Sequence, residues 1–280
     1  MVNPMETVNI AEKKRGSGIK PYWRVLKTFI GISASEETTY RAHFFFSVLE
    51  TLFWLVWFLA IVRVYFLHAQ NLGGWTFQEV LAVVGVFQIV HGVIQLVLQP
   101  NIGRLVEYVR LGTLDFVLTK PLNSQFLVSL RYWSVLRGVN CLAGLGLVVY
   151  VGTDLGLFSS PLYPLWFLIL LASGLTIVYS IMLMVMTLCF WFVRLENLMA
   201  ILWAFWETGR YPISVYRGIP RAILTYLIPV AFVTTVPARA VRGDIDWVNG
   251  VAAVGTATVL FVAASAFWKI ALRRYTGASA

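Results

Sequence analysis

The sequence predicts an all-α integral membrane protein: six transmembrane helices, an N-terminal interfacial helix and an external re-entrant hairpin. Three observations predict it. The 280 residues are 59% hydrophobic and only 12% charged, with a mean hydropathy of +0.77, whereas a soluble domain carries about 25% charged residues. Apolar runs of about 20 residues, the length that crosses a hydrocarbon core, recur along the chain. Basic residues gather in alternate connections, the asymmetry that orients helices in a bilayer. The 11 Trp, 12 Tyr and 19 Phe suit anchoring at the headgroup level. Positive-inside asymmetry accounts for the net charge of +9, so the expected partner is membrane lipid and not nucleic acid.

The apolar runs are 44–67, 77–99, 135–158, 164–193 and 248–268. A further run, 197–216, is interrupted by Glu207 and Arg210 but completes a six-span pattern. Segment 222–238 is apolar yet short, and Pro229 and Pro237 break it. It reads as a re-entrant hairpin, since irregular backbone at membrane depth needs protein or a wet cavity around it. The organisation is then a cytoplasmic N-terminus (1–43), a transmembrane domain (44–268) and a cytoplasmic tail (269–280). The domain includes an inner loop, 100–134, and an external region, 217–247.

Orientation follows the Lys and Arg residues. Seven lie before the first run, from Lys13 to Arg41; five lie at Arg104, Arg110, Lys120, Arg131 and Arg137. Arg194 follows the fourth run, and Lys269, Arg273 and Arg274 follow the last. All fall on one side if both termini are cytoplasmic, as in a multi-pass protein of the plasma (inner) membrane. The loops around Asn71 and Ser159 lack Lys and Arg and are expected outside. Arg210, Arg217, Arg221, Arg239 and Arg242 run against this rule near the outer face. No apolar stretch follows Lys13, Lys14 and Arg15 until Phe44, so no cleaved signal peptide is expected. In 19–32, Lys20, Arg24 and Lys27 recur on one helical face and Trp23, Leu26 and Ile30 on another. That pattern suits a helix lying in the interface.

The chain offers no catalytic residues. It has no G-x-x-x-x-G-K-[ST] phosphate loop, so ATP is not expected to bind here. His43, His68 and His91 are too scattered for a metal site. Cys141 and Cys189 each sit inside an apolar run and read as packing residues. Gly144 and Gly146 read as points of close helix approach. Polar residues within runs are costly in lipid and face protein or water. Gln88, His91, Gln95 and Gln99 fall on one face of the second run, and Glu50 is the one acid of the first. Two readings stand: a lining for a substrate path, or hydrogen bonding between helices.

The inner loop, PNIGRLVEYVRLGTLDFVLTKPLNSQFLVSLRYWSVLR, is longer than a simple turn requires. Ile102, Leu105, Val106 and Val109 form an apolar stripe, Arg104, Glu107 and Arg110 a charged face, and Gly112 a C-cap. The charged face can meet a cytoplasmic partner, or the stripe can simply rest on lipid.

The stretch GTLDFVLTKPLNSQF resembles the inner loop of ABC-2 type (type-2 ATP-binding-cassette) transporter permeases. GGWTFQEVL, WFVRLENL and GRYPISVYRGIPRAILTYLIPVAFVTTVPARA resemble the same family, so the likeness covers roughly 22–275. It implies six transmembrane helices with an interfacial N-terminal helix and a cytoplasmic coupling helix. It also implies external re-entrant helices, which explain the arginines near the outer face. Family members dimerise, as homodimers or with a related permease, and bind two ATPase subunits. The implied function is the permease subunit of an ABC transporter, exporting a hydrophobic or amphipathic substrate. ATP and Mg then belong to the partner ATPase. Arg104, Glu107, Arg110, Gly112 and Asp115 are the implied coupling residues; Glu50, Gln88, His91, Gln95 and Gln99 are the candidate path. The rival classes are a secondary transporter, which the single broken segment at Pro229 disfavours, and a non-transporting membrane assembly or scaffold protein.

Overall fold

The structure, a computed structural model, describes residues 19–38, 41–192 and 196–275. Among them every extended element is helical. Two helices open the chain, α1 (Ile19–Thr38) and α2 (Arg41–His68). The central helix α3 (Phe77–Val93) runs through a π turn, Ile94–Leu98, into α4 (Gln99–Arg110). Short helices α5 (Asp115–Leu118) and α6 (Ser124–Leu130) lead to α7 (Gly138–Leu155) and α8 (Leu162–Thr187). The rest is α9 (Glu196–Glu207), α10 (Gly218–Ala222), α11 (Val236–Val241) and α12 (Trp247–Arg274).

Five runs are long and apolar enough to cross a bilayer: Phe45–His68, Phe77–Arg110, Val135–Leu155, Leu162–Phe190 and Trp247–Arg274. They coincide with five of the six expected runs. The second is the axis of the bundle: 72% of its most apolar stretch is buried, against 17% for the first. It departs from expectation in one respect. The sequence suggests a span ending at Gln99 and a separate loop helix, but helix continues unbroken to Arg110. Its 34 residues rise about 50 Å at 1.5 Å each, well beyond a hydrocarbon core of about 30 Å.

Prolines explain the irregular turns. Three π turns, Ile94–Leu98, Ile223–Leu227 and Ala231–Thr235, each end two residues before a proline: Pro100, Pro229 and Pro237. A helical proline clashes with the carbonyl four residues back and cannot donate to it. For Pro100 and Pro237, which stay within helix, those carbonyls belong to Leu96 and Val233, the middle residue of each turn, where the wider backbone gives the ring room. The Leu96 carbonyl then accepts from the Ser134 N–H at 2.8 Å. Sequence reading takes Pro237 as a break. It is absorbed instead, and helix continues to Val241. Only at Pro229 does the path turn, with Gly218–Leu227 and Ala231–Val241 bent by 71°.

Close approach at α3 and α7 rests on glycine. A Cβ on Gly144 would lie 2.6 Å from the Ile89 nitrogen, and one on Gly92 2.5 Å from that of Cys141. Gly146, expected to share this role, meets nothing within 4 Å; it is one step off the contact face.

Two ends of the bundle can be identified. At one, Gln78 donates to Asp154 at 3.3 Å, Arg242 pairs with Glu79 at 3.0 Å, and Trp166 packs on Trp247. At the other, Arg137 pairs with Glu50 at 3.4 Å, and Phe190 meets Tyr275 edge to face at 5.8 Å. The bent pair starts and finishes at the first end. Ser214, just before it, donates to Gly73 O at 2.7 Å, and Arg242, just after it, holds Glu79. The chain must therefore traverse the bundle between Phe190 and Ser214. The regular α-helix there, α9, has only 12 residues, followed by a 3-10 turn, Thr208–Arg210. The expected run 197–216 is thus not one long helix among the described residues.

Candidate functional site

The overhanging end of the central helix carries the first group of residues. Leu105 is 1% exposed and packs with Leu114, Val117, Leu127, Leu183 and Trp268 in a second apolar core. Ile102, Val106 and Val109 border this core. On the opposite face Arg104, Glu107 and Arg110 are exposed. Gly112 ends the helix with a φ of +68°, a left-handed conformation that glycine adopts without steric cost. Asp115 opens α5 and interacts with Tyr275, so it stands apart from the Arg104 face.

A clamp holds this end, and sequence reasoning missed it. Asn101 is 2% exposed. Its Nδ2 donates to Val97 O at 2.6 Å and to Tyr132 O at 2.7 Å, while Tyr132 N donates to its Oδ1 at 3.0 Å. The Tyr132 ring carries the Arg104 guanidinium at 3.8 Å, and its hydroxyl bonds that of Tyr108 at 2.7 Å. The signal available was spacing: Asn101, Leu105 and Tyr108 fall on one face, so an Asn there needs a partner. Helix α6 is pinned in the same region. Gln125 donates to Tyr179 Oη at 3.0 Å and to Ser265 Oγ at 3.2 Å, and Ser129 bonds Tyr179 at 2.9 Å. Helix α1 docks on this segment too. Ser33 Oγ accepts from Trp133 N at 3.2 Å, and Glu37 from Leu136 N at 2.9 Å. Trp23, on the expected interfacial face, is 57% exposed.

The second group lies inside the bundle. His91 and Gln95 bond through their Nε2 atoms at 2.9 Å, and Asn140 Nδ2 donates to Gln95 Oε1 at 2.8 Å. Gln88 is half-buried one turn earlier, whereas Gln99 is exposed. The π turn between them delays rotation by about one residue, roughly 100°, which takes Gln99 off the shared face. Glu50 is not in this line: its side chain is half-exposed and paired with Arg137.

An aromatic array joins His91 to the far side. Phe87 stacks on His91 at 5.5 Å and on Trp206 at 6.0 Å; Trp203 meets His91 edge-on at 6.3 Å. The Arg210 guanidinium lies 5.2 Å from the Phe87 centroid and 5.7 Å from that of Phe58, and pairs with Glu207 at 2.6 Å. Trp203, Trp206 and Arg210 share a face at spacings of three and four, a signal present in the sequence. Beside them opens an apolar crevice of about 40 Å³, lined by Ile94, Ile177, Met182, Trp206, Pro229 and Val233. Two more of the arginines that run against the charge rule have acid partners: Arg239 with Asp246 at 3.4 Å, and Arg242 with Asp244 at 2.7 Å as well as Glu79.

The fold and these sites define a multi-pass helical membrane protein with buried polar groups along its axis and no strands among the described residues. Comparison with family models gives its class: the model described as ABC-2 family transporter protein matches residues 52–279. The chain belongs to the ABC-2 family of transporter membrane proteins, and a permease role follows. No curated protein and no solved structure matches it.

Proposed function

We propose that this chain is the membrane subunit of an ABC exporter, driven by partner ATPases that bind ATP and Mg. The observation that carries the reading is the two-faced end of the central helix. Leu105 fixes it to the bundle, while Arg104, Glu107 and Arg110 are exposed on an overhang beyond membrane thickness. A rigid helix with a buried side and a charged free side can pass a push from a docked partner to the spans. Charges at such a surface set register and steer association more than they add affinity.

In this reading the Arg104 end and both termini are cytoplasmic, in the plasma (inner) membrane. The bent pair at Pro229 is re-entrant from the outside, supported by the anchoring of both its flanks at the Gly73–Glu79 end. Helix α1 lies along the inner interface. Two copies, or this chain and a related permease, assemble with two ATPases. The substrate is hydrophobic or amphipathic, moving past His91 and Gln95. Copurification with a cognate ATPase tests the core of this reading. Stimulated ATP turnover in the assembled complex is expected; a chain that transports with no ATPase bound would overturn it.

A further inference from the structure

Four buried side-chain nitrogens have no hydrogen-bond partner among the described residues, and three of them cluster: His91 Nδ1, Trp206 Nε1 and Arg210 Nε, while Trp166 Nε1 lies apart, against Trp247. The three clustered ones belong to side chains that lie against the same ring, Phe87, which is 2% exposed. Indole and guanidinium nitrogens can only donate. For His91 the sign follows from its neighbours. Gln95 Oε1 accepts from Asn140, so the Gln95 amide N–H faces His91 Nε2. That nitrogen accepts, and the imidazole carries its proton on Nδ1.

Buried polar groups nearly always find partners, and each exception calls for a cause. Three exceptions of one sign around one ring form a donor set waiting for an acceptor. Charge selects the kind of acceptor. Arg210 is already matched by Glu207 at 2.6 Å, and His91 is neutral in this bonding pattern, so an added anion would find no free countercharge. A neutral oxygen fits better. The adjoining crevice is lined almost wholly by apolar side chains, shares Trp206 with the donor set and, at about 40 Å³, has room for the first few carbons of an apolar chain.

We propose that the Phe87 donor set binds the neutral oxygen-bearing head of the transported molecule, an ester, amide or polyol on an apolar chain. This rests on the permease reading and names the substrate class for it. Phe87 supplies the floor, Trp206, His91 and Arg210 supply hydrogen bonds, and the crevice takes the carbons next to the head.

The test uses the full chain in detergent micelles with a diazirine-bearing monoacylglycerol as photolabel. Monoolein, oleate and 1-octadecene compete for labelling. Monoolein should displace the label at concentrations at least about ten-fold below 1-octadecene, which has a similar tail and no oxygen, and below oleate, which is anionic. Trp206→Phe keeps the ring and removes one donor; it should weaken monoolein about 3–10-fold, the usual worth of one hydrogen bond, without changing 1-octadecene. Arg210→Lys keeps the charge opposite Glu207 and should act likewise, which covers the case in which Trp206→Phe does not fold. Equal competition by monoolein and 1-octadecene overturns the proposal, as does wild-type monoolein binding in both variants; the donors are then merely hydrated. No ATPase is present, so a negative result here leaves the ATPase-driven reading standing, and a failed copurification leaves this binding result standing.

Discussion

Asn101 and Tyr132 are joined twice, side-chain amide to backbone, at 2.7 and 3.0 Å. The bond pair ties the first turn of α4 to the far end of the connection that leads into α7. A movement of the overhang must therefore reach α7 as well as α3.

Removing this clamp should uncouple without unfolding. Asn101→Leu leaves the Tyr132 N–H and carbonyl unpaired, at a cost of about 1–3 kcal/mol. In an assembled complex the expected result is a several-fold loss of substrate-stimulated ATP turnover with basal turnover retained. Stimulation at the wild-type level in a folded Asn101→Leu protein would falsify the transmission role.

The charged face gives a second prediction. Arg104 is engaged over Tyr132, so its reversal also breaks a cation–π contact worth about 0.5–2 kcal/mol. Arg110 and Glu107 make no such contact on the described face and report on a partner more cleanly. Reversing Arg104 and Arg110 to Glu should abolish coupled turnover, and Glu107→Lys with Arg110→Glu should do so with an unchanged melting temperature. Normal assembly and turnover in the second variant mean that this face is only solvated.

Much of this was legible in the sequence, and the failures share a physical origin. Five long apolar runs declare themselves because lipid demands about 20 apolar residues. Segment 197–216 did not, since Glu207 and Arg210 interrupt it; they pair with one another, and Arg210 also lies between Phe58 and Phe87. The pair is local, at i and i+3, but the ring contacts of Arg210 cross the bundle and no local pattern encodes them. Prolines announced irregular backbone, but a π turn and a break look alike in sequence. Choosing between them depends on which group takes up the freed carbonyl, as Ser134 does for Leu96. The candidate path was read with uniform helical rotation, and the same π turn displaced Gln99. Arg104, Glu107 and Arg110 fell on one exposed face as read, yet Asn101 beneath them went unnoticed because its partner is 31 residues away.

Accessibility of the bent pair is a third prediction. Cysteines placed at Ser159 and at Arg242 should react with an impermeant thiol reagent from the same side of the membrane, because both flank the Gln78–Asp154 end. Cysteines at Lys120 should react only from the other side. Labelling of Arg242→Cys together with Lys120→Cys makes the pair a full crossing and removes the re-entrant reading.

Glycine packing gives a stability contrast within one helix. Gly144→Ala drives a methyl group into backbone, 2.6 Å from Ile89 N and 2.7 Å from Gly85 O. Neither atom can swing aside, so α3 and α7 must separate, and a loss of about 1–3 kcal/mol is expected. Gly146→Ala meets open space and should gain a few tenths up to about 1 kcal/mol from helix propensity. Thermal unfolding in detergent measures both; equal effects would mean that α3 and α7 do not pack through Gly144.

The start of the last helix supplies a pH-dependent test. Asp246 caps α12: its Oδ1 accepts from Asn249 N at 3.0 Å, and its other oxygen faces Arg239 at 3.4 Å. The Asn249 backbone and side-chain bonds, with the Arg239 charge behind them, hold the Asp246 carboxyl below the usual Asp range. A carboxylate depressed on folding contributes stability that is full above its unfolded pKa and is lost as pH falls through the folded one. Asp246→Ala removes the cap and should cost about 0.5–2 kcal/mol near neutral pH. Asp246→Asn can still cap, so it should lose less, and what it loses is the charge-dependent part. Thermal unfolding of wild type and both variants between pH 7 and pH 3 separates the two contributions. The gap between wild type and Asp246→Asn should be constant near neutrality and narrow only at the acid end, below the ordinary Asp range. A gap that instead closes between pH 7 and pH 5 would trace the stabilisation to some other group and leave Asp246 as a neutral cap.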